Sequence, residues 1–418
     1  MVKRATFLLS LLGLVSLPLA CGSSKEASGN GSSGGTSEQP TTVGKACAEN
    51  AECTASTEFC GDDQKCAAVP AGGEIGYRDG SASSVTFTQI YKASGSPELI
   101  DLAFNPSDTT QIWAVGYADD STHVGSGVTP DDNGSWKRYL DPARAHFMHA
   151  PPAIAMGAAP FWGTCGDGDD SFASRQPRMF MGPAIFTTDL SVYAKPAGSL
   201  GLGSHYDMLH STPFCKGIAH EKDNVYWVYN GHNKSIDRYD FHDDHGPGND
   251  DHSDGEIWRY ADGELTPSEG TPSHLIFDPA DGMLYIADTG ASRIVKLDTT
   301  SGTKKSGPTA NIREASGTKI GTNEPLVASG YMTGTSVEDI GATGLKKPSG
   351  IELKGDLLYV TDAETSTFHV FEKATGKEVR KLKTEVEEGG LAGFAFGPDN
   401  KIYFVDRKTN RIFRIDPK

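Results

Sequence analysis

From about residue 80 to the C-terminus, apolar positions come in short runs separated by turns rich in Asp, Pro and Gly. The stretch Pro272–Asp298, PSHLIFDPADGMLYIADTGASRIVKLD, shows the pattern most clearly. One run (Leu275–Phe277) meets a turn (Asp278–Gly282), a second (Met283–Ala287) meets another turn (Asp288–Ser292), and a third follows (Arg293–Leu297). β-Branched and aromatic residues alternate with others inside each run, and the turn residues supply the backbone angles that tight hairpins need. This predicts three antiparallel strands. One such meander cannot bury its own faces, so it calls for neighbours of the same kind.

The neighbours are present. Inner-strand candidates align at 100–104, 152–156, 216–220, 273–277, 349–353 and 392–396, with second strands at 111–115, 161–165, 225–229, 283–287, 357–361 and 401–405. Third strands are visible at 235–239, 293–297, 367–371 and 411–415. That makes six units, with long insertions in the first two. Asp278-Pro279, Tyr285-Ile286-Ala287-Asp288 and Arg293-Ile294 form one signature, and Gly397-Pro398-Asp399, Tyr403-Phe404-Val405-Asp406 and Arg411-Ile412 repeat it. These units resemble NHL repeats. The resemblance implies an all-β fold, a six-bladed NHL-like β-propeller over residues 80–418, in which radial stacking buries both faces of each sheet. Val85–Ile90 alternates as a half-buried strand should and is the candidate to close the ring beside Arg411–Ile415. Trp113, Tyr226, Trp227, Tyr285, Tyr359 and Tyr403 fall at strand positions and are expected in the core.

The N-terminal part is organised differently. Residues 1–20 carry Lys3 and Arg4 and then an apolar stretch, Phe7–Leu17, too short to span a bilayer as a mature helix. Leu17-Pro18-Leu19-Ala20-Cys21 resembles the lipobox of bacterial lipoproteins, with Pro18 where Leu is usual. The resemblance implies a signal peptide, an acylated Cys21 and membrane attachment through lipid. Gly22 rather than Asp follows the Cys, which points to an outer-membrane lipoprotein of the bacterial cell envelope, on the periplasmic side or the cell surface. Residues 21–45 are rich in Gly, Ser and Thr without apolar periodicity, as in a flexible tether.

Seven Cys fit this address: Cys21 apart, six remain for an oxidising compartment. Cys47, Cys53, Cys60 and Cys66 define a small disulfide-rich module at 46–69, with three connectivities open. It resembles the Cys-rich modules, of the Dickkopf N-terminal or EGF-fragment kind, near the start of some bacterial surface lipoproteins. Cys165 and Cys215 lie in adjacent units, where a disulfide is geometrically reasonable. The formal net charge of −17 argues against nucleic acid, whose phosphates require a basic surface. No nucleophile elbow, P-loop or dinucleotide fingerprint is present.

Two sets of residues carry candidate chemistry. His149, His210 and His274 lie just before or at the start of inner strands in successive units, at the expected channel mouth. Three imidazoles with an open fourth position form a catalytic zinc arrangement. In this the chain resembles the peptidyl-α-hydroxyglycine α-amidating lyases, which implies a channel-mouth zinc; residues equivalent to that family's catalytic Arg and Tyr are not identifiable. The second set is the acidic segment 240–256, DFHDDHGPGNDDHSDGE, holding Asp243, Asp244, His245, Asp250, Asp251, His252 and Asp254 without Lys or Arg. By topology it is expected on the face opposite the three histidines. Dense carboxylates repel one another, which a cation relieves. Calcium suits the carboxylates, while the histidines favour zinc or copper. The sequence supports a surface-anchored binding or scaffold module whose channel mouth engages a protein, peptide or small-molecule ligand. The alternative is a metal-dependent lyase or hydrolase using the three histidines.

Overall fold

The computed structural model describes residues 41–54, 57–168, 180–306 and 326–418. The signal peptide, Cys21 and most of the tether lie outside the described residues. Thr42–Lys418 forms one compact unit, which takes in the Cys-rich module as well as the repeats. Among the described residues no helix is long and apolar enough to cross a membrane.

The chain is a six-bladed β-propeller. Blade 1 runs Leu99–Asn105, Asp108–Gly116, Ser121–Ser126 and Ser135–Tyr139 from inner to outer strand. Blade 2 follows with Ile154–Met156, Phe161–Cys165, Pro183–Thr187 and Asp207–Met208, and blade 3 with Cys215–Lys222, Val225–Asn230, Ser235–Asp240 and Glu256–Tyr260. Blade 4 comprises Leu275–Asp278, Met283–Asp288, Arg293–Asp298 and Val337–Asp339, and blade 5 Pro348–Lys354, Leu357–Asp362, Thr367–Glu372 and Glu378–Lys383. Blade 6 takes Leu391–Phe396, Ile402–Asp406 and Arg411–Pro417 from the C-terminus, and Val85–Lys92 completes it. That closing strand pairs antiparallel with the last one, from Val85 opposite Pro417 to Lys92 opposite Arg411.

Stacking explains the composition of the strands. Val225–Asn230 is buried at every residue because blades cover both its faces, and its sequence VYWVYN is continuous rather than alternating. The six aromatic residues expected in the core are all buried. Trp113, Trp162, Phe186 and Tyr193 pack together between blades 1 and 2. Gly217 permits close blade contact: a Cβ there would stand 2.2 Å from the Ser273 carbonyl oxygen of blade 4.

Blade 3 departs from four strands. The insertion of blade 4 folds into a hairpin, Thr303–Ser306 with Ala328–Thr333. Its second strand adds in parallel to the outer edge of blade 3, with Ile257 opposite Ser329. A six-stranded sheet results, and the hairpin covers an edge that would otherwise expose unpaired backbone groups.

Disulfides join Cys47 to Cys60, Cys53 to Cys66, and Cys165 to Cys215. Within the Cys-rich module Glu58–Cys60 pairs with Cys66–Ala68. The segment that follows straps onto the propeller. Ile75 is fully buried, Glu74 pairs with Lys354 at 2.8 Å and accepts a hydrogen bond from Tyr359, and Arg380 donates to the Arg78 carbonyl.

Candidate metal centre at the edge of blade 2

The outermost strand of blade 2 is only two residues long, Asp207–Met208, and pairs with Pro183–Thr187 through Ile185 opposite Asp207. His205 precedes it. The segment joining Ser235–Asp240 to Glu256–Tyr260 folds over this edge and carries His245 and His252. Backbone bonds tie it down: the His245 amide donates to the Tyr206 carbonyl at 3.2 Å and the Gly248 amide to that of His205 at 2.8 Å. Gly248 has φ +74°, and a Cβ there would stand 2.1 Å from the Ala197 carbonyl oxygen, so this crossing requires glycine.

The fold thereby brings Asp207, His245 and His252 together, with one potential ligand atom from each lying within 4.8 Å of the others. Asp207 Oδ1 is 3.8 Å from His252 Nε2 and 4.0 Å from His245 Nε2. All three side chains are buried, at 1–4 % exposure. His205 lies edge-on to His245 with ring centroids 5.0 Å apart, and its other side stacks on Phe147 at 3.6 Å.

The hydrogen-bond pattern prepares these rings as ligands. His205 Nδ1 donates to the Leu202 carbonyl at 2.9 Å and His245 Nδ1 to that of Gly246 at 2.7 Å. A carbonyl oxygen can only accept, so each neutral ring keeps the lone pair of its Nε2 free to bind. His205 Nε2, His245 Nε2, both nitrogens of His252 and Asp207 Oδ2 have no hydrogen-bond partner. Buried polar atoms without partners are rare, and their concentration at one point calls for an explanation. Burial holds His205 and His245 below the usual imidazole range, and burial together with the neighbouring His245 lowers His252 to about 3. Burial also drives Asp207 well above the carboxylate range, reinforced by Asp254, Asp244 and Asp251.

The acidic segment thus divides. His245 and His252 turn inward, while the carboxylates largely cap their own backbone: Asp244 accepts from the Gly246 amide, Asp251 from Ser253 and Asp254 from Asp243. Asp243, Asp244, Asp250, Asp251 and Asp254 are not members of the inward group. Asp207 belongs to no acidic run. The only signal for it in the sequence is the alternation His205-Tyr206-Asp207, which places His and Asp on one face of a strand.

His149, His210 and His274 are not brought into one group. His149 is half-exposed and sits 3.9 Å from Asp120, whose carboxylate raises its pKa. His274 is buried beside the channel, with Nε2 donating to the Pro152 carbonyl at 3.1 Å and Nδ1 3.8 Å from Asp101. His210 comes so soon after Asp207 that it stays at the blade edge, against Phe180 and 5.6 Å from His252. The short outer strand is the reason, and it also places the acidic segment beside His210 instead of on the opposite face. Cys47, Cys53 and Cys66 also cluster, but each is spent in a disulfide.

At the ring's centre the inner strands enclose a cavity of about 400 Å³ lined by Asp101, Glu352, His220, His274 and apolar side chains. Burial and the charge of Asp101 push Glu352 up to about 8, and burial raises Asp101.

No family model matches the chain, and no curated protein matches it. Its similarities are to solved propeller structures. An auxiliary nutrient binding protein from Bacteroides thetaiotaomicron is 12% identical, with 79% of this chain and 76% of that one covered and a TM-score of 0.47. Virginiamycin B lyase from Staphylococcus aureus is 12% identical, with 86% and 87% covered and a TM-score of 0.42. Regucalcin, a calcium-binding protein from Agrobacterium tumefaciens, is 11% identical, with 80% and 96% covered and a TM-score of 0.44. Similarity of this degree transfers no ligand or activity; the propeller is read from the chain's own strand pairing.

Proposed function

We propose that this chain is an envelope-tethered binding propeller that holds zinc or copper between Asp207, His245 and His252. The observation that supports it is the convergence of unpaired, buried ligand atoms from two blades. Two imidazoles and one carboxylate suit a late first-row ion, whereas calcium takes oxygen ligands almost exclusively. The central cavity is the place for an organic or peptide ligand.

Metal analysis of the purified protein, stripped and reloaded with zinc or copper, tests the metal reading. Wild type should retain about one equivalent, as a single set of converging donors implies. His252→Ala and Asp207→Asn should lose it, and the double variant His149→Ala/His274→Ala should keep it. A wild type that takes up neither ion overturns the reading, and loss only in the double variant moves the site to the channel side. Attachment through Cys21 rests on the lipobox-like sequence. Incorporation of labelled palmitate by wild type but not by Cys21→Ala is the expected result; equal labelling would remove the anchor.

A further inference from the structure

The metal reading leaves open whether the ion would be exposed for chemistry or enclosed. Three observations bear on this. First, the donors come from two segments, His205 and Asp207 from the edge of blade 2, and His245 and His252 from the segment crossing over it from blade 3. A shared ion would add to the backbone hydrogen bonds and the Cys165–Cys215 disulfide that already join these blades. Second, a further unpaired nitrogen stands near the three-residue group, on a ring whose centroid is 5.0 Å from that of His245, although it lies outside the 4.8 Å within which the other three donors fall. His205 is fully buried, its Nε2 is without a partner, and its ring is held by Phe147 on one face and by the Leu202 carbonyl at Nδ1. An outer-shell bond of that kind fixes both tautomer and ring orientation of a metal-bound histidine. Third, no donor is exposed through which an outside molecule would reach the ion: His205, Asp207 and His252 are at most 3 % accessible, and the His245 side chain is 2 % accessible.

We infer that the ion sits in a closed four-donor cage, with His205 as fourth ligand, and cross-links blades 2 and 3 as a structural centre. This rests on the metal reading above. A structural site fills all its positions with protein donors, whereas a catalytic one keeps a position for water or substrate. The cross-link gives the acidic segment a role. A divalent ion bound by one carboxylate keeps net positive charge, and Asp244, Asp251 and Asp254 surround it with negative charge. Those carboxylates draw the ion in and compensate it without ligating it. Without an ion the unpaired atoms oppose closure of the segment, since buried polar groups left without partners are costly.

Cobalt(II) is the probe, because its visible absorption reports coordination. The stripped wild-type protein should take up cobalt, show the intense bands of a four-coordinate ion, and keep them unchanged when azide is added. His205→Ala should bind cobalt at least about tenfold more weakly, as loss of a ligand or of its orienting partner does, and its bands should then respond to azide. His205→Gln serves as a second variant should the first fail to fold, and the azide response of the wild type decides on its own should both fail. Azide-sensitive bands in the wild type, or wild-type affinity and spectrum in the His205 variants, overturn the closed cage while leaving the metal reading intact. A wild type that binds neither cobalt, zinc nor copper overturns both.

Discussion

Glu352 shows how much a single side chain in this ring can govern. It faces the central cavity, with Asp101, His274 and His220 as the other titratable groups on that wall. Burial and the neighbouring Asp101 raise its pKa to about 8, against about 4.3 in an unfolded chain. The folded state therefore binds the extra proton between those two values. Stability is full below the unfolded pKa and falls as pH rises toward 8, by at most about 1.4 kcal/mol per pH unit. Glu352→Gln should flatten this fall and raise the melting temperature at pH 8 more than at pH 5. Asp101 shifts in the same direction, so part of the slope should survive. Melts showing identical pH profiles for both proteins would remove Glu352 as the cause. Arg259 offers a second residue-scale test. It is fully buried and donates to both carboxylate oxygens of Asp237, at 2.8 and 2.9 Å, while Asn230 and Thr212 donate to the same carboxylate. Arg259→Met strands a buried anion and should destabilise by about 3–5 kcal/mol in denaturant unfolding. At this scale the sequence was only partly legible. His245 and His252 stood out within an acidic run, but Asp207 did not, because little beyond the alternation His205-Tyr206-Asp207 marks it and its meaning comes from a fold contact.

Elements were legible in proportion to how regular their neighbours were. Strands of blades 3 to 6 carry matching turns, so their inner, second and third members fall into register with one another in the sequence. The third strand of blade 2, Pro183–Thr187, is hidden by the long connection 166–182 that removes the spacing that marks it, whereas Ser121–Ser126 of blade 1 follows a short turn but carries few large apolar residues in its sequence STHVGS. The parallel strand Ala328–Thr333 was invisible for another reason: it joins blade 3 from an insertion of blade 4, and nothing local announces a partner so distant in the chain. Glycines within inner strands report blade contact. Gly217→Ala places a methyl group 2.2 Å from the Ser273 carbonyl, which is backbone and has little room to move. We expect a loss of about 1–3 kcal/mol, as for overpacking elsewhere. Gly263→Ala is a useful comparison. No atom lies within 4 Å of its added Cβ, but its φ of +82° should still make it mildly unfavourable. Equal and small losses in both variants would show that contact between blades 3 and 4 is looser than the structure implies.

At the scale of the whole molecule, the decisive contact joins the two ends of the propeller. Val85–Lys92 supplies the fourth strand of blade 6, and Val85 and Ile90 are buried there while Phe87 meets Phe404 edge-on at 5.9 Å. This closure was legible because an alternating strand preceded a set of units one strand short. It also distinguishes the N-terminal parts by what they do for the fold. A chain beginning at Pro70 keeps the strap, in which Ile75 is buried among blades 5 and 6, and keeps the closing strand. It should therefore melt cooperatively and run as a compact species. A chain beginning at Ala93 lacks both and exposes Arg411–Pro417 as an unpaired edge, which favours association with other chains. We expect that shorter chain to aggregate, or to melt lower by a margin that reflects the loss of an eight-residue strand. Supplying residues 70–92 as a separate peptide should restore part of the stability, because the site it fills is preformed by the other three strands of blade 6. If the chain starting at Ala93 instead melts with the same midpoint and stays monomeric in size-exclusion chromatography, the closing strand is dispensable, and the ring must be held by the contacts between blades alone.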